Sequence, residues 1–469
     1  MARPHLRPAA VAAQGKPTRL QFLGATGTVS GSKYLLQFDG RQVLVDCGLF
    51  QGYKQLRLRN WTSLPVAPKS LDAVVLTHAH IDHSGYLPLL VRNGFRGRIL
   101  CTRATRDLCG VLLPDSARLQ EEEADYANRR GYSKHKPALP LYTEKDAAAC
   151  LRQFAPLDLG HRLDLGAGID VELQPAGHLL GATMVLLRNA HGTLLFSGDL
   201  GRPNDLLMNP PAAIEAADYL VLESTYGDRL HPGDDPLVQL ASVINRTVAR
   251  GGAIIIPSFA VGRAQALLYY IHLLKAAGSI ADVPVFLNSP MAAEAMKIFG
   301  KHSGEHRLDA RQCDALANSA RIVSSVEESE SVNQRKGPMI VVAGSGMATG
   351  GRIVHHIKAF APDAKNTLLF TGYQAGGTRG AAIVAGADSV KIHGEYVPVR
   401  AEVAMVDNLS GHADAGEIMA WLRGFRAPPR HTFITHGEPA AADALRRNIA
   451  ETLGWNCSVP DYLERVELS

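Results

Sequence analysis

Cysteine is scarce: Cys47, Cys101, Cys109, Cys150, Cys313 and Cys457 stand far apart, with no C-x-x-C pair among them. That spacing excludes a disulfide framework and a cysteine-rich zinc site, and a reducing cytoplasm is the expected location. Long apolar runs are missing too; none approaches the roughly 18 residues of a membrane helix, so no membrane partner is expected. The opening "MARPHLRPAAVAAQGKPTRL" has arginines and prolines but no sustained apolar stretch of a secretory leader. Residues 1–17 read instead as a flexible basic arm. Strong net charge is also absent: +4 over 469 residues neither announces a polyanionic partner nor repels one. What remains is 46% hydrophobic and 20% charged, ordinary for a globular chain long enough for about two or three domains.

The apolar pattern divides the chain. From Thr18 to Asp46 the short runs "RLQFLGA", "YLLQF" and "QVLVD", separated by glycine-bearing turns, predict a meander of strands. "LDAVVLTHAH" predicts a buried strand followed by a histidine-bearing loop, and "GYLPLLVRNGF" a helix. Residues from Thr102 to Gln153 read as mainly helical, with the charged "DSARLQEEEADYANRRGYSKHK" a solvated face and loop. Strands return in "IDVELQPAGH", "ATMVLLRNAHGTLLFSGD" and "ADYLVLEST", the second with a hairpin turn at Asn189 to Gly192. From about Pro210, strands such as "AIIIPSF", "VPVFLNS" and "PMIVVAGSGM" alternate with helices, as in β-α-β units on a mainly parallel sheet. The expected division is a first part over 18–209, an inserted α/β domain over 210–385 and a return segment over 386–469.

The chemistry concentrates in "VVLTHAHIDHSG", where His78, His80, Asp82 and His83 fall within six positions after an apolar run. Packing does not account for such density, because buried ionisable groups cost free energy unless paired or coordinated. Single histidines elsewhere, such as His5, His161, His191, His272, His302 and His431, read as structural or surface residues. Imidazole and carboxylate donors are those zinc takes in sites left open to water or substrate. His178 in "QPAGHLLGA", Asp199 in "LLFSGDLGR" and His436 in "HTFITHGEP" each end a β-rich segment, as His78 does. Together they complete two sites, with Asp199 able to bridge them, and Asp46 in "VLVDCG" placed to orient a ligand from behind.

The run "THAHIDHSG", with Asp46 before it and His178, Asp199 and His436 after it, resembles the metallo-β-lactamase superfamily. "VLESTYGDR", "SGHAD" and "THGEP" resemble motifs A, B and C of its β-CASP nucleases, relatives of the cleavage and polyadenylation endonuclease. The resemblance implies an αββα metallo-β-lactamase sandwich with an inserted α/β β-CASP domain. It also implies two Zn2+ per chain, with His78, His80 and His178 on one, Asp82, His83 and His436 on the other, and Asp199 shared. Glu223 and His412 would form the pair that sets these nucleases apart, with His412 the proton donor to the leaving oxygen.

The expected reaction is hydrolysis of RNA phosphodiester bonds by a two-metal activated hydroxide, with Asp82, Asp199, Glu223 and His412 catalytic. The histidine of motif C goes with RNA-processing members of the family, and single-stranded RNA is the expected partner. The ribonuclease J group adds a C-terminal domain, whereas this chain ends 33 residues after His436, so internal cleavage is expected over trimming. Substrate phosphates are expected at Arg263, Ser345, Gly346, Arg352 and Arg379, which lie on glycine-rich or basic turns of the insertion. The alternatives are a small-molecule metallo-hydrolase of lactonase or thioesterase type, or a DNA-processing nuclease of the same fold. A homo-dimer is compatible with the sequence, and a cleft closed between the two domains is expected.

Overall fold

The computed structural model describes residues 17–131 and 133–468, so the arm expected over 1–17 lies outside the described residues but for Pro17. Thr18–Phe22, Tyr34–Phe38 and Arg41–Val45 form the expected antiparallel meander, the last turn passing through Asp39 and Gly40 at positive φ. Ala73–Val75, Arg98–Cys101 and Phe154–Pro156 then add in parallel. Arg465–Leu468 closes the far edge against Thr18–Phe22, completing seven strands. A second seven-stranded sheet runs in the order Cys457–Ser458, His431–Thr435, Tyr219–Glu223, Gly192–Phe196, Thr183–Asn189, Asp170–Pro175, Leu163–Asp164.

Alternation along each strand sends neighbouring side chains to opposite layers. Leu20, Phe22, Val43 and Val75 of the first sheet meet Val171, Leu173, Val185, Phe196, Val221 and Phe433 of the second in one buried layer. Burial of each such side chain contributes roughly 1.5–3 kcal/mol. The intervening residues face helices: Leu44, Val74 and Ile99 join Leu87, Leu90 and Leu108, while Leu220, Leu222 and Ile434 join Ile418, Leu422, Leu445 and Ile449. The layering is helix, sheet, sheet, helix.

The third sheet has six strands in the order Arg321–Ile322, Val285–Asn288, Met339–Ala343, Ala253–Pro257, Thr367–Phe370, Glu402–Met405, and every pair is parallel. Its central strands AIIIP and MIVVA are buried throughout because helices cover both faces. Ile254 and Ile256 pack with Leu267, Leu268 and Ile271 of the helix Arg263–Ala276, and Ile255 packs with Ile353 and Ile357 of Arg352–Phe360.

Both boundaries of the insertion differ from those expected at 210 and 385. Tyr219–Glu223 lies in the second sheet, between Gly192–Phe196 and His431–Thr435, and Glu402–Met405 pairs with Thr367–Phe370 in the third. Parallel pairing joins strands far apart in sequence, so a strand's own pattern does not say which sheet receives it. Among the described residues no helix is long and apolar enough to cross a membrane.

One buried cation sits beneath the first loops. The Lys33 ammonium donates to the carbonyls of Gly48 and Gly31 and lies 4.6 and 4.9 Å from the ring centres of Phe50 and Tyr86. Burial brings its pKa from 10.5 down to about 8. Between those values the unfolded chain binds a proton that the folded one does not, so stability rises with pH across that window. Urea unfolding of wild type is expected to gain up to about 3 kcal/mol over Lys33→Met between about pH 7.5 and pH 10.5. A difference that stays constant with pH would remove this reading.

Candidate metal centre

The strand ends of the sandwich bring the predicted donors to one edge. After Ala73–Val75 the chain delivers His78, and His80 is the N-cap of the short helix Ile81–Ser84, whose first turn carries Asp82 and His83. Glycine is required opposite this helix: a Cβ on Gly48 would fall 1.5 Å from the Asp82 carbonyl oxygen. His178 follows Asp170–Pro175, Asp199 follows Gly192–Phe196, Glu223 ends its strand, and His436 follows His431–Thr435 with φ +49. His412 comes from the loop before the helix Ala415–Leu422.

Two clusters result, each with donor atoms within 4.8 Å of one another: His78, His80, His178 and Asp199 in one, Asp82, His83 and His436 in the other. In the first, His80 Nδ1 lies 3.2 Å from His78 Nε2 and 3.3 Å from His178 Nε2. In the second, His83 Nε2 lies 3.1 Å from His436 Nε2, which is 3.6 Å from Asp82 Oδ2. Asp199 divides its carboxylate between them. Oδ2 is 3.4 and 3.6 Å from the Nε2 atoms of His78 and His178, and Oδ1 is 3.2 Å from His83 Nε2 and 3.5 Å from His436 Nδ1.

The electrostatics of the first cluster favour a metal. Burial draws His78 down to about 3 and His80 to about 4, and holds His178 well below the usual imidazole value, so these three rings are neutral and offer lone pairs. Burial alone would raise Asp82, but the His436 hydrogen bond and the charge of His83 outweigh it and keep the carboxylate ionised. For Asp199 burial is outweighed by His436, by the charge of His83 and by the His78 hydrogen bond. Three neutral nitrogens with an anionic oxygen is a donor set that zinc accepts. Asp199 Oδ1 is buried and, among the described residues, accepts no well-formed hydrogen bond, and a cation satisfies such an oxygen. The residues present fit zinc.

Residues 26–250 match the metallo-beta-lactamase superfamily, 264–383 the Beta-Casp domain and 396–460 the Zn-dependent metallo-hydrolase RNA specificity domain. Ribonuclease TTHA0252 of Thermus thermophilus is 37% identical over 440 residues, covering 92% of this chain and 96% of its own. The chain belongs to the β-CASP family of the metallo-β-lactamase superfamily. Transcription termination factor FttA of Methanocaldococcus jannaschii is 32% identical over 451 residues, 92% of this chain and 69% of that one. A crystal structure of a protein of unknown function from Enterococcus faecalis V583 shares the fold, at TM-score 0.53 and 12% identity over 97% of this chain and all of that one.

The β-CASP motif residues Glu223 and His412 meet beside the metal clusters. His412 Nδ1 donates toward both Glu223 oxygens, at 3.2 and 3.1 Å. Burial would lower His412, but the charge and hydrogen bond of Glu223 overcome it and raise the pKa. Glu223 is itself fixed by the Leu200 N–H and by the Thr225 hydroxyl at 2.6 Å. The His412 ring packs on His178, with centroids 4.4 Å apart.

Asp46 stands behind the site. It accepts from His83 Nδ1 at 2.7 Å and from the Thr77 N–H at 2.8 Å, turning His83 Nε2 toward Asp199. The carbonyl of Gly411 accepts from His178 Nδ1 at 3.0 Å in the same way. Sequence reasoning passed over Thr225, which serves both Glu223 and His436 Nδ1, the latter at 3.2 Å, although it stands in the quoted "VLESTYGDR".

The expected phosphate residues separate. Arg352 is committed within the insertion, to Asn288 Oδ1 at 2.6 Å and to the carbonyls of Val323 and Ser324. Arg379 is committed to the carbonyls of Ala348 and Lys391. The donors of both knit loops of the insertion together. Arg263 differs. Its Nη1 is buried without a hydrogen-bond partner, pressed so close to Gly372 that a Cβ there would lie 1.8 Å away. Phe259 links this arginine to the histidines, its ring 5.8 Å from the guanidinium carbon and 6.1 Å from the His80 ring. Gly346 packs on the same Phe259 ring, and Ser345 bonds Thr349 at 3.1 Å in the adjoining loop. Near the site the insertion touches the return segment, where the Gly376 N–H points to Glu438 Oε1 at 3.4 Å.

Proposed function

We propose that this chain is a zinc-dependent ribonuclease that cuts single-stranded RNA internally, holding two zinc ions. The division of the Asp199 carboxylate between two histidine clusters carries the two-ion reading, and the name of the 37%-identical Thermus relative supports RNA as the substrate. His78, His80 and His178 would hold one ion and Asp82, His83 and His436 the other, with Asp199 between them. When bound, the ions supply an activated water and neutralise charge on the scissile phosphate.

The protein's own groups do the rest. His412, protonated and oriented through Nδ1 by Glu223, presents Nε2–H to the leaving oxygen and gives up that proton as the P–O bond breaks. Asp46 fixes the tautomer of His83. Arg263, with Ser345 and Gly346 across Phe259, holds a non-bridging phosphate oxygen. The six cysteines are free, which supports a reducing cytoplasm.

End-labelled single-stranded RNA and the matching DNA, incubated with metal-loaded protein, test the reading. Internal cuts in RNA but not in DNA, absent with Asp82→Ala, are expected. No RNA cleavage by protein holding two zinc ions would overturn it, and equal cleavage of DNA would make it a general nuclease.

A further inference from the structure

The stretch from Cys47 to Leu71 carries Lys54, Arg57, Arg59 and Lys69 and no acidic residue. Within it Trp61 is 60% exposed, Leu58 56% and Tyr53 51%, an unusual gathering of large apolar side chains in water. The surface is firmly held from beneath. Buried Asn60 accepts from the Phe50 N–H at 2.9 Å and donates to the Phe50 carbonyl at 2.8 Å. The Arg59 guanidinium lies 4.0 Å from the Tyr462 ring centre and 5.4 Å from that of Phe50. These anchors turn the short helix Lys54–Leu58 and the following turn Arg59–Trp61 outward, with Lys54, Arg57 and Trp61 exposed.

The same segment adjoins the helix that carries Asp82 and His83. Leu49 N–H donates to the Ile81 carbonyl at 2.9 Å and Cys47 N–H to that of His83 at 2.7 Å, so the stretch leaves directly from the metal-bearing helix. At its other side Tyr53 packs on the insertion: Cβ atoms added to Gly376 and Gly377 would lie 2.3 and 2.8 Å from its Oη and Cδ1. An exposed aromatic face beside cations that are unpaired among the described residues, on a segment bonded to the metal-bearing helix, matches the stacking platform and charged track of single-strand recognition.

We propose that the surface formed by Tyr53, Lys54, Arg57 and Trp61 binds the flank of single-stranded RNA beyond the scissile bond, Trp61 stacking on a base and Lys54 and Arg57 meeting phosphates. This rests on the ribonuclease reading. The platform reads no sequence, because every base has a face to stack, and it acts only on strands long enough to reach it.

Steady-state cleavage of a long (~20-nucleotide) and a short (~6-nucleotide) single-stranded RNA tests it. With Trp61→Ala the KM for the long RNA is expected to rise about tenfold, as loss of one base–aromatic stack implies. The turnover number and the short-RNA KM should be unchanged, with zinc content and thermal midpoint as wild type. Trp61→Tyr should restore the long-RNA KM. Lys54→Gln with Arg57→Gln should flatten the salt dependence of log KM by about 1.4, two single-strand phosphate contacts. A long-RNA KM unchanged by these variants, while wild type cleaves normally, overturns the platform and leaves the ribonuclease standing. If Trp61→Ala instead turns a dimer into a monomer in sedimentation with KM unchanged, the face is a subunit contact and the proposal falls. Wild type that cleaves neither RNA removes the ribonuclease reading and the platform with it.

Discussion

Asp199→Ala is expected to abolish RNA cleavage, by more than about 10³-fold, and to leave fewer than two zinc ions per chain. Loss of groups that merely orient ligands typically costs 10–100-fold in metal affinity or activity, and Asp199 stands among the ligands themselves. Its two oxygens face different histidine clusters, at 3.2 Å from His83 Nε2 and 3.4 Å from His78 Nε2. Removing it therefore weakens both sites at once, whereas His80→Ala should weaken the first cluster alone. Elemental analysis and turnover on the same preparations check this. Two zinc ions and ordinary turnover in Asp199→Ala would show that the carboxylate does not bridge.

Most of this site was legible because its donors obey a local rule. His78, His80, Asp82 and His83 are neighbours in sequence, and His178, Asp199 and His436 each follow a strand, so the ends of strands marked them as candidates before any packing was known. The sandwich was legible for the same reason, through alternation and glycine turns. What could not be read depends on partners distant in the chain. Glu402–Met405 has the pattern of a sandwich strand, yet its backbone finds Thr367–Phe370 in the insertion. Arg352 and Arg379 follow glycine-rich turns just as a phosphate-binding arginine would, but long side chains take their destination from tertiary structure, and both end on carbonyl oxygens of neighbouring loops. Arg263 shows the opposite outcome: its buried Nη1 meets no acceptor among the described residues.

Thr225 shows how the two functions of the site are joined. One hydroxyl lies 2.6 Å from Glu223 Oε2 and 3.2 Å from His436 Nδ1, so the residue that steadies the proposed proton donor also steadies a proposed metal ligand. The backbone repeats the link, since the carbonyl before His412, that of Gly411, fixes His178. Substitutions of His412 itself leave these bonds in place, and for that reason they separate proton donation from metal binding.

His412→Ala should accordingly retain two zinc ions and its KM for RNA while the turnover number falls by about 10²–10⁴, the range of general acid catalysis. A phosphodiester with a weakly basic leaving group, such as bis(p-nitrophenyl) phosphate, needs no proton at the departing oxygen, so on it the variant should run near the wild-type rate. Glu223→Gln supplies the complementary result. The carboxylate raises the His412 pKa against the lowering effect of burial, so His412 keeps its proton to higher pH in wild type than it can without that charge. Removing the charge lowers the pKa, and the alkaline limb of the turnover profile should move toward acid in Glu223→Gln. A His412→Ala rate depressed equally on both substrates would mean that the residue shapes the site without donating the proton. An alkaline limb that stays fixed in Glu223→Gln would assign the limb to another group.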